Sequence, residues 1–518
     1  MKQQNSLLTA GAMLAISGIV VKAVSAAYRI PLTRMLGADT MGRYSAVFSL
    51  FMPFYSFATA GITTSVAHFT ARYTDSTNGQ KSVKDTAFKL YMLVSVIVTL
   101  AFVAFGKFYS EWQQDSVFFY GSVILAPSIV LAVVEHIYEG ITQGQMNMMP
   151  TATANLLESI VKTVVGVLGV WLVVSVWHSG DIVALAVCFA SVTLAGLLCA
   201  LYLFFLCRSK VKVQTEKTKD KISVKEMFDM SVPVGISALL MSLSAFFDTT
   251  VCLPKIAEIP YADIVKSFDK ASFIGAGDMA MYLFGIWQGM VLSVFNLTPA
   301  IVSSVGVASL PILSKSWAIT DRTVVNNQTK KLFRVTSFIS VPCILFVSCF
   351  AADIIGLLFG TTPQQSLVAS QLVHIACIGG VFCCFGSVFN SVLYAAGRSK
   401  TVFRILLSAS IIRAVVSWLL CGVPNINIKA FAVSSSVFYT IIFILSIYTI
   451  KKLGISFNFL QIFTIPLLAG GIAVFLTNYL STAHLQSLPL FLSLSLTGVI
   501  FGAIYMLIIL STGFLVDK

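Results

Sequence analysis

Charged residues inside long apolar stretches are the positions of this chain where chemistry is concentrated. Three bases, Lys22, Lys162 and Arg413, lie within such stretches, and Arg29 follows near the outer end of the first one. A charge at the centre of a bilayer costs about 2.5–3.5 kcal/mol, so such residues mark binding sites or ion pathways. Cations around one cavity suit an anionic headgroup such as a diphosphate, and we predict substrate contacts for all four. Lys22 and Arg413 rank first because neither has an acid nearby in the sequence, whereas Arg29 could instead snorkel to the lipid headgroups.

Four acids lie in the same kind of stretch: Glu135, Glu139, Glu158 and Asp248. A carboxylate within a membrane can bind Na⁺ or a proton and couple an ion gradient to movement. We therefore predict a coupling-ion role for Asp248, Glu158 and Glu135, and no other cofactor. Two alternatives stay open: Glu158 lies four residues before Lys162 and could neutralise it locally, and Asp248 lies near the end of a stretch, where water would solvate it.

The patterns that enzymes and metal sites need are missing from the sequence. The five histidines show no metal-ligand spacing, the ten cysteines contain no CxxC pair, and no GxxxxGK[ST] motif occurs. The longest outer loop, about 253–278, is too short for a catalytic domain. This leaves a secondary carrier, a channel, a membrane enzyme or a scaffold, and we predict neither catalytic residues nor a bound metal.

The elements that must hold these charges are membrane-spanning helices. Of the 518 residues, 57% are hydrophobic and 11% are charged, and the mean hydropathy is +0.90. A helix needs about 20 apolar residues to cross a bilayer, and about fourteen stretches of that kind follow one another. The predicted class is an all-α polytopic membrane protein. The spans are predicted at 7–30, 44–69, 88–106, 117–140, 152–177, 182–206, 230–252, 279–310, 335–358, 367–393, 402–421, 430–450, 460–479 and 487–511.

The net charge of +13 is distributed as a membrane protein requires, and does not indicate a nucleic-acid partner. If the amino terminus lies in the cytoplasm, 23 of the 34 Lys and Arg residues fall on the inner side and eight on the outer side. Basic residues are retained on the cytoplasmic side of a membrane. The sequence thus predicts a multi-pass protein of the cytoplasmic membrane with both termini inside.

A polar segment divides the series of spans. Residues 208–229 read as a cytoplasmic linker, which separates an N-terminal lobe at 1–207 from a C-terminal lobe at 230–451, with two further spans at 452–518. Short motifs beginning at Gly37 and at Gly275 match at four of eight positions and precede spans two and eight. Equivalent placement in the two six-span sets suggests an internal repeat, and transporters bind substrate between such repeats.

Several short motifs identify a family resemblance. The stretches 28–38, 41–44 and 60–62 resemble the opening of the stage V sporulation protein B-like oligosaccharide flippases, of the multidrug/oligosaccharidyl-lipid/polysaccharide exporter superfamily. Residues 143–145 with Pro150, and residues 247–249, are similar to the same family. Fourteen spans with a linker after the sixth is that family's plan.

The resemblance implies two six-helix lobes around a central cavity, a fold like those of multidrug exporters and lipid II flippases, and alternating access. It implies a polyprenyl-diphosphate-linked sugar as cargo, membrane lipids as partners, and other cell-wall synthesis proteins as further partners. Lys22 falls where the family carries a cavity arginine, and Asp248 resembles a cation-binding aspartate of span seven. Lipid II flippases also carry arginines in spans two and eight, but residues 44–67 and 279–310 contain no Lys or Arg.

Three other functions stay open at this point. A multidrug antiporter of the same superfamily would share the fold but should present acids in the cavity, and twelve spans suffice for it. A membrane scaffold for envelope or spore assembly would move nothing. A polyprenyl-sugar glycosyltransferase or polymerase would need an outer loop with clustered acids, which the sequence lacks.

Overall fold

The computed structural model describes residues 2–73, 77–208, 223–268, 278–318, 322–485 and 488–514. Throughout these ranges the regular elements are helices, with no strand among them. Eleven helices in the described ranges are long and apolar enough to cross a membrane, or up to thirteen if each of two bent pairs is one span. The predicted all-α polytopic class is confirmed, while the number fourteen stays a prediction.

The chain divides into two compact units, the first of which is Met1–Pro254. The helices whose bounds lie within it are α1 (Lys2–Thr59), α2 (Ile62–Arg72), α3 (Thr77–Gln113), α4 (Val117–Gly144), α5 (Met149–Trp171), α6 (Asp181–Arg208) and α7 (Val224–Phe247). π-Helical turns extend α5 over Leu172–Val176 and α7 over Asp248–Cys252. The second of these is followed by α8 (Leu253–Ala257), which crosses the boundary between the units.

The division in the structure differs from the one at the 208–229 linker. α7 packs against α1, α2 and α3, so it belongs to the first unit. The lobe bounds drawn from the sequence stay a prediction. Most of the linker, residues 209–222, lies outside the described residues, and α7 already begins at Val224.

Two glycines divide the first long helical stretch. α1 continues to Thr59, but Gly37 interrupts it with φ 75° and ψ 175°, which separates predicted span one from span two. Gly61, with φ 83°, precedes α2. Both φ values lie in the region that only glycine enters readily, because a Cβ would crowd the backbone there.

The motif at Gly37 makes polar contacts that join separate parts of the first unit. Arg43 donates to Asp39 through Nη1 and to Asp115 through Nε, each at 3.0 Å. The Thr40 hydroxyl donates to Asp181 at the start of α6 at 2.9 Å. These polar contacts join three parts of the chain: α1, the turn before α4, and the start of α6. The matching motif at Gly275 lies partly in residues 269–277, outside the described residues.

Packing within the first unit positions the charged residues. α4 packs against α1, α2, α3 and α6, and α5 packs against α1 and α6. The charges of α4 and α5 therefore lie on helices that both contact α1. Pro127 in α4 is tolerated within the helix, as membrane helices often allow.

The second unit is Lys255–Lys518. Its helices are α9 (Tyr261–Ser267), α10 (Met279–Gly285), α11 (Leu292–Phe295), α12 (Leu297–Ala318), α13 (Arg322–Cys349), α14 (Ala351–Phe359), α15 (Pro363–Ala395), α16 (Ser399–Cys421), α17 (Lys429–Lys452), α18 (Phe459–Leu480) and α19 (Leu490–Thr512). The predicted span 279–310 is bent by 45° after Phe295.

α15 and α17 form the centre of the second unit. α15 packs against α12, α13 and α17, and α16 packs on α17. The core between them is rich in aromatic rings, among which Phe385 and Phe443 are buried. α18 packs on α13, and the Tyr505 hydroxyl of α19 donates to the Phe338 carbonyl of α13 at 3.0 Å. The last two predicted spans are thus held on α13.

Candidate functional site

A polar face of α5 is the centre of the candidate site in the first unit. Asn155, Glu158, Ser159 and Lys162 occupy positions i, i+3, i+4 and i+7, so a helix places them on one side. All four line a cavity of about 210 Å³. Ser159 is buried, and its hydroxyl has no hydrogen-bond partner among the described residues.

The first part of α1 supplies the opposite wall of this cavity. The lining residues of α1 are Ser17, Gly18, Val21 and Ser25, which recur at helical spacing and are all small or medium-sized. A Cβ added at Gly18 would meet no atom within 4 Å, so open space faces this residue. The small side chains of α1 therefore leave room beside the polar face of α5.

Lys162 lies between aromatic rings and a carboxylate. Its ammonium is 5.5 Å from the centroid of the Tyr28 ring and 5.4 Å from that of Phe48, both of α1. Its charge also interacts with those of Glu158 and Arg29. No ion pair joins Lys162 to Glu158 in the described part of the chain. The two charges therefore interact without forming a closed ion pair.

Buried acids of α4 lie next to the same region. Glu135 and Glu139 are 5% and 4% exposed. Their charges interact with each other and with that of Glu158 on α5. His136 Nδ1 lies 2.9 Å from Glu139 Oε2, while Glu139 Oε1 has no hydrogen-bond partner among the described residues. The fold thus gathers three carboxylates and an imidazole from two helices.

Asp248 lies elsewhere in the first unit, at the start of the π-helical turn after α7. Only 1% of its surface is exposed, so it is not an acid in water at a span's end. Within the same turn, the Thr249 carbonyl accepts a hydrogen bond from the Tyr109 hydroxyl at 2.8 Å. π-Helical turns are rare and occur frequently at functional sites.

Arg413 lies in the second unit, on α16. It is 9% exposed, and its charge acts on the hydroxyl of Tyr439 on α17. Lys22 lies on α1, but its side chain is outside the described residues. The structure therefore brings Arg29, Lys162 and Glu158 together, with Glu135 beside Glu158, and describes Arg413 in a separate unit.

Three further polar groups near the site did not stand out in the sequence. Asn155 and Ser159 belong to the polar face of α5, and His136 is next to the acids of α4. The spacing of Asn155, Glu158, Ser159 and Lys162 was the available signal, because four polar residues on one face of an apolar helix are unusual. The contribution of α1 has no such signal, since small residues are common in membrane helices.

Comparison with known proteins gives the family. A profile described as polysaccharide biosynthesis protein matches residues 7–317, well over half of the chain. This chain belongs to the polysaccharide biosynthesis protein family. A second profile, MatE, matches residues 288–419 of this chain.

Two curated relatives align over most of the chain. Stage V sporulation protein B of Bacillus subtilis (strain 168) is 20% identical over 483 residues, which are 90% of this chain and 89% of that protein. Lipid II flippase MurJ of the same organism is 21% identical over 454 residues, which are 82% of this chain and 78% of that protein. The resemblance to the stage V sporulation protein B-like group is thereby confirmed.

Two solved structures share the fold. Lipid II flippase MurJ in its inward closed conformation gives a TM-score of 0.68 at 14% identity, covering 96% of this chain and 98% of that one. An inward-facing multidrug resistance MATE family transporter of the MOP superfamily gives 0.63 at 12% identity, covering 91% and 99%. The predicted fold, like those of multidrug exporters and lipid II flippases, is confirmed, and the chain is a multi-pass membrane protein.

Proposed function

We propose that this protein is an alternating-access flippase, which moves a polyprenyl-diphosphate-linked oligosaccharide across the cytoplasmic membrane. The observation that carries the proposal is the alignment of a lipid II flippase with 82% of the chain. The match of a polysaccharide biosynthesis profile supports a saccharide-bearing cargo. Flipping changes no covalent bond, so no catalytic residue is required.

The anionic part of the cargo would be held by the basic residues within the membrane. Lys22, Arg29, Lys162 and Arg413 are the residues that we assign to the diphosphate. The burial of Arg413 and the nearness of Arg29 to Lys162 support this role, because cations away from water attract an anionic headgroup strongly.

Coupling to an ion gradient is assigned to acids. We assign Na⁺ or proton binding to Asp248 and to Glu135 with Glu158. The burial of Asp248 and Glu135 supports the assignment, since a buried carboxylate is stabilised by a bound cation or proton. The orientation with both termini in the cytoplasm is supported by the distribution of basic residues.

The likeness to a MATE transporter favours a second candidate, a cation-coupled multidrug antiporter. Flipping of a fluorescent polyprenyl-diphosphate disaccharide by the purified protein in liposomes separates the two. We expect this lipid to reach the far leaflet faster than in protein-free liposomes. Failure to move it, together with exchange of organic cations, would establish the antiporter instead, and movement of neither would favour a scaffold.

A further inference from the structure

The cavity between α1 and α5 has a described lining that suits a ligand rich in hydroxyl groups. We propose that it is a sugar subsite, which takes one neutral polyhydroxyl ring of the cargo beside its diphosphate. This inference rests on the proposed function. The cavity lies wholly within the first unit, and its polar wall is Asn155, Glu158, Ser159 and Lys162.

The polar groups of the described lining match the hydroxyls of a sugar ring. The described wall carries one acid, Glu158, and one base, Lys162. Both groups keep the roles proposed above, Lys162 toward the diphosphate and Glu158 toward a cation or proton, because an ammonium has three donors and a carboxylate several acceptor positions. Sugar hydroxyls both donate and accept, so one ring can donate to Glu158 and accept from Lys162. The amide of Asn155 adds a donor and an acceptor of the same kind.

The hydroxyl of Ser159 is a polar group in the cavity wall that lacks a partner in the described structure. Ser159 is 8% exposed, and Oγ has no hydrogen-bond partner among the described residues. A buried hydroxyl without a partner is unfavourable, and a change of the Ser159 χ1 rotamer would turn it toward a ligand hydroxyl in the cavity. The neighbouring Lys162 and Glu158 make no ion pair with each other in the described structure, so both can meet a ligand.

The size of the cavity limits what it can hold. Its volume of about 210 Å³ is below the range of about 300–1,000 Å³ that is typical of pockets for drug-sized ligands. This is enough for one ring and too little for an oligosaccharide. Lys162 also interacts with Arg29, which places a base for the diphosphate next to the ring.

Gly18 offers a way to fill the cavity. A side chain at Gly18 would extend into open space and would not strain the helix. Gly18→Leu should therefore remove the room for the ring. The matched control is Gly471→Leu on α18, where an added Cβ also meets no atom within 4 Å. A second pair compares Ser159→Ala with Thr163→Val, since the Thr163 hydroxyl bonds to its own helix at the Ser159 carbonyl.

The experiment measures the binding of two probes to the full chain in nanodiscs by native mass spectrometry. One probe is a polyprenyl diphosphate that bears a single N-acetylglucosamine, and the other is the bare polyprenyl diphosphate of the same length. Two or three hydrogen bonds to the ring should make the unmodified protein prefer the first probe by about tenfold. The Gly18→Leu protein should lose this preference, Ser159→Ala should reduce it about threefold, and both controls should keep it.

Equal binding of both probes by the unmodified protein would overturn the sugar subsite and leave the flippase proposal standing. An undiminished preference in both Gly18→Leu and Ser159→Ala would also overturn it, as would an equal loss of affinity for the two probes. Binding of neither probe by the unmodified protein would contradict the flippase proposal, and the subsite with it. Thermal melting of each variant identifies misfolding, and the small Ser159→Ala change then decides the test.

Discussion

Two aromatic rings and a carboxylate surround the Lys162 ammonium. Its four-residue spacing from Glu158 does not produce a closed ion pair in the described structure. Residues four apart on a helix commonly form an ion pair, which would have neutralised the lysine. In the fold, the rings of Tyr28 and Phe48 take positions 5.5 and 5.4 Å from the ammonium instead. Cation–π contacts stabilise a lysine while leaving its charge available to an anion.

Removal of a single charge tests the diphosphate assignment. Arg413→Ala should lower the affinity for bare polyprenyl diphosphate by about tenfold or more, because a hydrogen bond to a charged group contributes about 1.5–3 kcal/mol. Lys22→Ala should act in the same direction, and Lys22→Arg should keep much of the binding because a cation remains. Lipid binding to the purified protein checks this. Exposed Lys400 on α16 is a control, and Lys400→Ala should have little effect.

Full binding by the alanine variants of Lys22 and Arg413 would contradict the anionic-cargo role of these two residues. Equal performance of Lys22→Gln and Lys22→Arg would do so as well, since only the arginine keeps the charge. Membrane abundance of every variant is measured in parallel, so that lost binding is separated from lost protein.

Asp248 supplies the test of ion coupling. Asp248→Asn removes a buried charge with little change of shape, so we expect flipping to slow by about tenfold and to stop responding to Na⁺ and pH. The matched control is Asp229→Asn, an exposed acid on the same α7. Flipping assays across Na⁺ concentration and pH provide the measurement. Unchanged ion dependence in Asp248→Asn would assign the carboxylate to packing alone.

At the scale of elements, breaks between helices decide where the charges lie. Gly37 ends the first part of α1 and redirects the chain into predicted span two. Gly61 does the same before α2, and it also lies against the backbone of Ser231 on α7. The second break thus has two requirements: a left-handed φ and the absence of a side chain.

The two glycines form a matched pair for a stability measurement. Gly37→Ala should cost about 1–2 kcal/mol, because an alanine is strained at φ 75° but meets no neighbour there. Gly61→Ala should cost clearly more, because its Cβ would also collide with the Ser231 backbone. Gly471→Ala within α18 should be neutral or slightly stabilising. Thermal melting of the purified variants gives the order, and similar losses for Gly37→Ala and Gly61→Ala would contradict the close approach.

At the scale of the whole molecule, the basic residues predict how the chain sits in its membrane. The 23-to-8 division of Lys and Arg predicts that both termini and the 208–229 segment lie in the cytoplasm.

Labelling of single cysteines tests this orientation. The ten native cysteines are first replaced, and Lys217→Cys or Lys266→Cys is then introduced. An impermeant thiol reagent added to intact cells should label Lys266→Cys, whose native side chain is 75% exposed, and should leave Lys217→Cys unlabelled. Permeabilised cells should label both. Labelling of Lys217→Cys in intact cells would reverse the predicted topology.

Much of the architecture follows from the sequence, because a membrane allows few solutions. Backbone polar groups must be satisfied within each apolar segment, so stretches of about 20 apolar residues become helices whatever their neighbours are. The same local rule exposes Glu135, Glu158, Lys162 and Arg413 as charges inside the membrane. The sequence also offers a local reason for the bend after Phe295, because Pro299 cannot donate a hydrogen bond to the carbonyl four residues before it.

Tertiary structure alone decided which of these residues share a site. Ser17 and Gly18 carry no chemical signal in the sequence, yet they leave the space that faces Ser159 and Lys162 more than 140 residues later. Helical periodicity is local and assigns a residue to one face of its own helix, but it does not choose the helix that this face contacts. Side-chain packing makes that choice, because it selects the pairs of helices whose surfaces interdigitate.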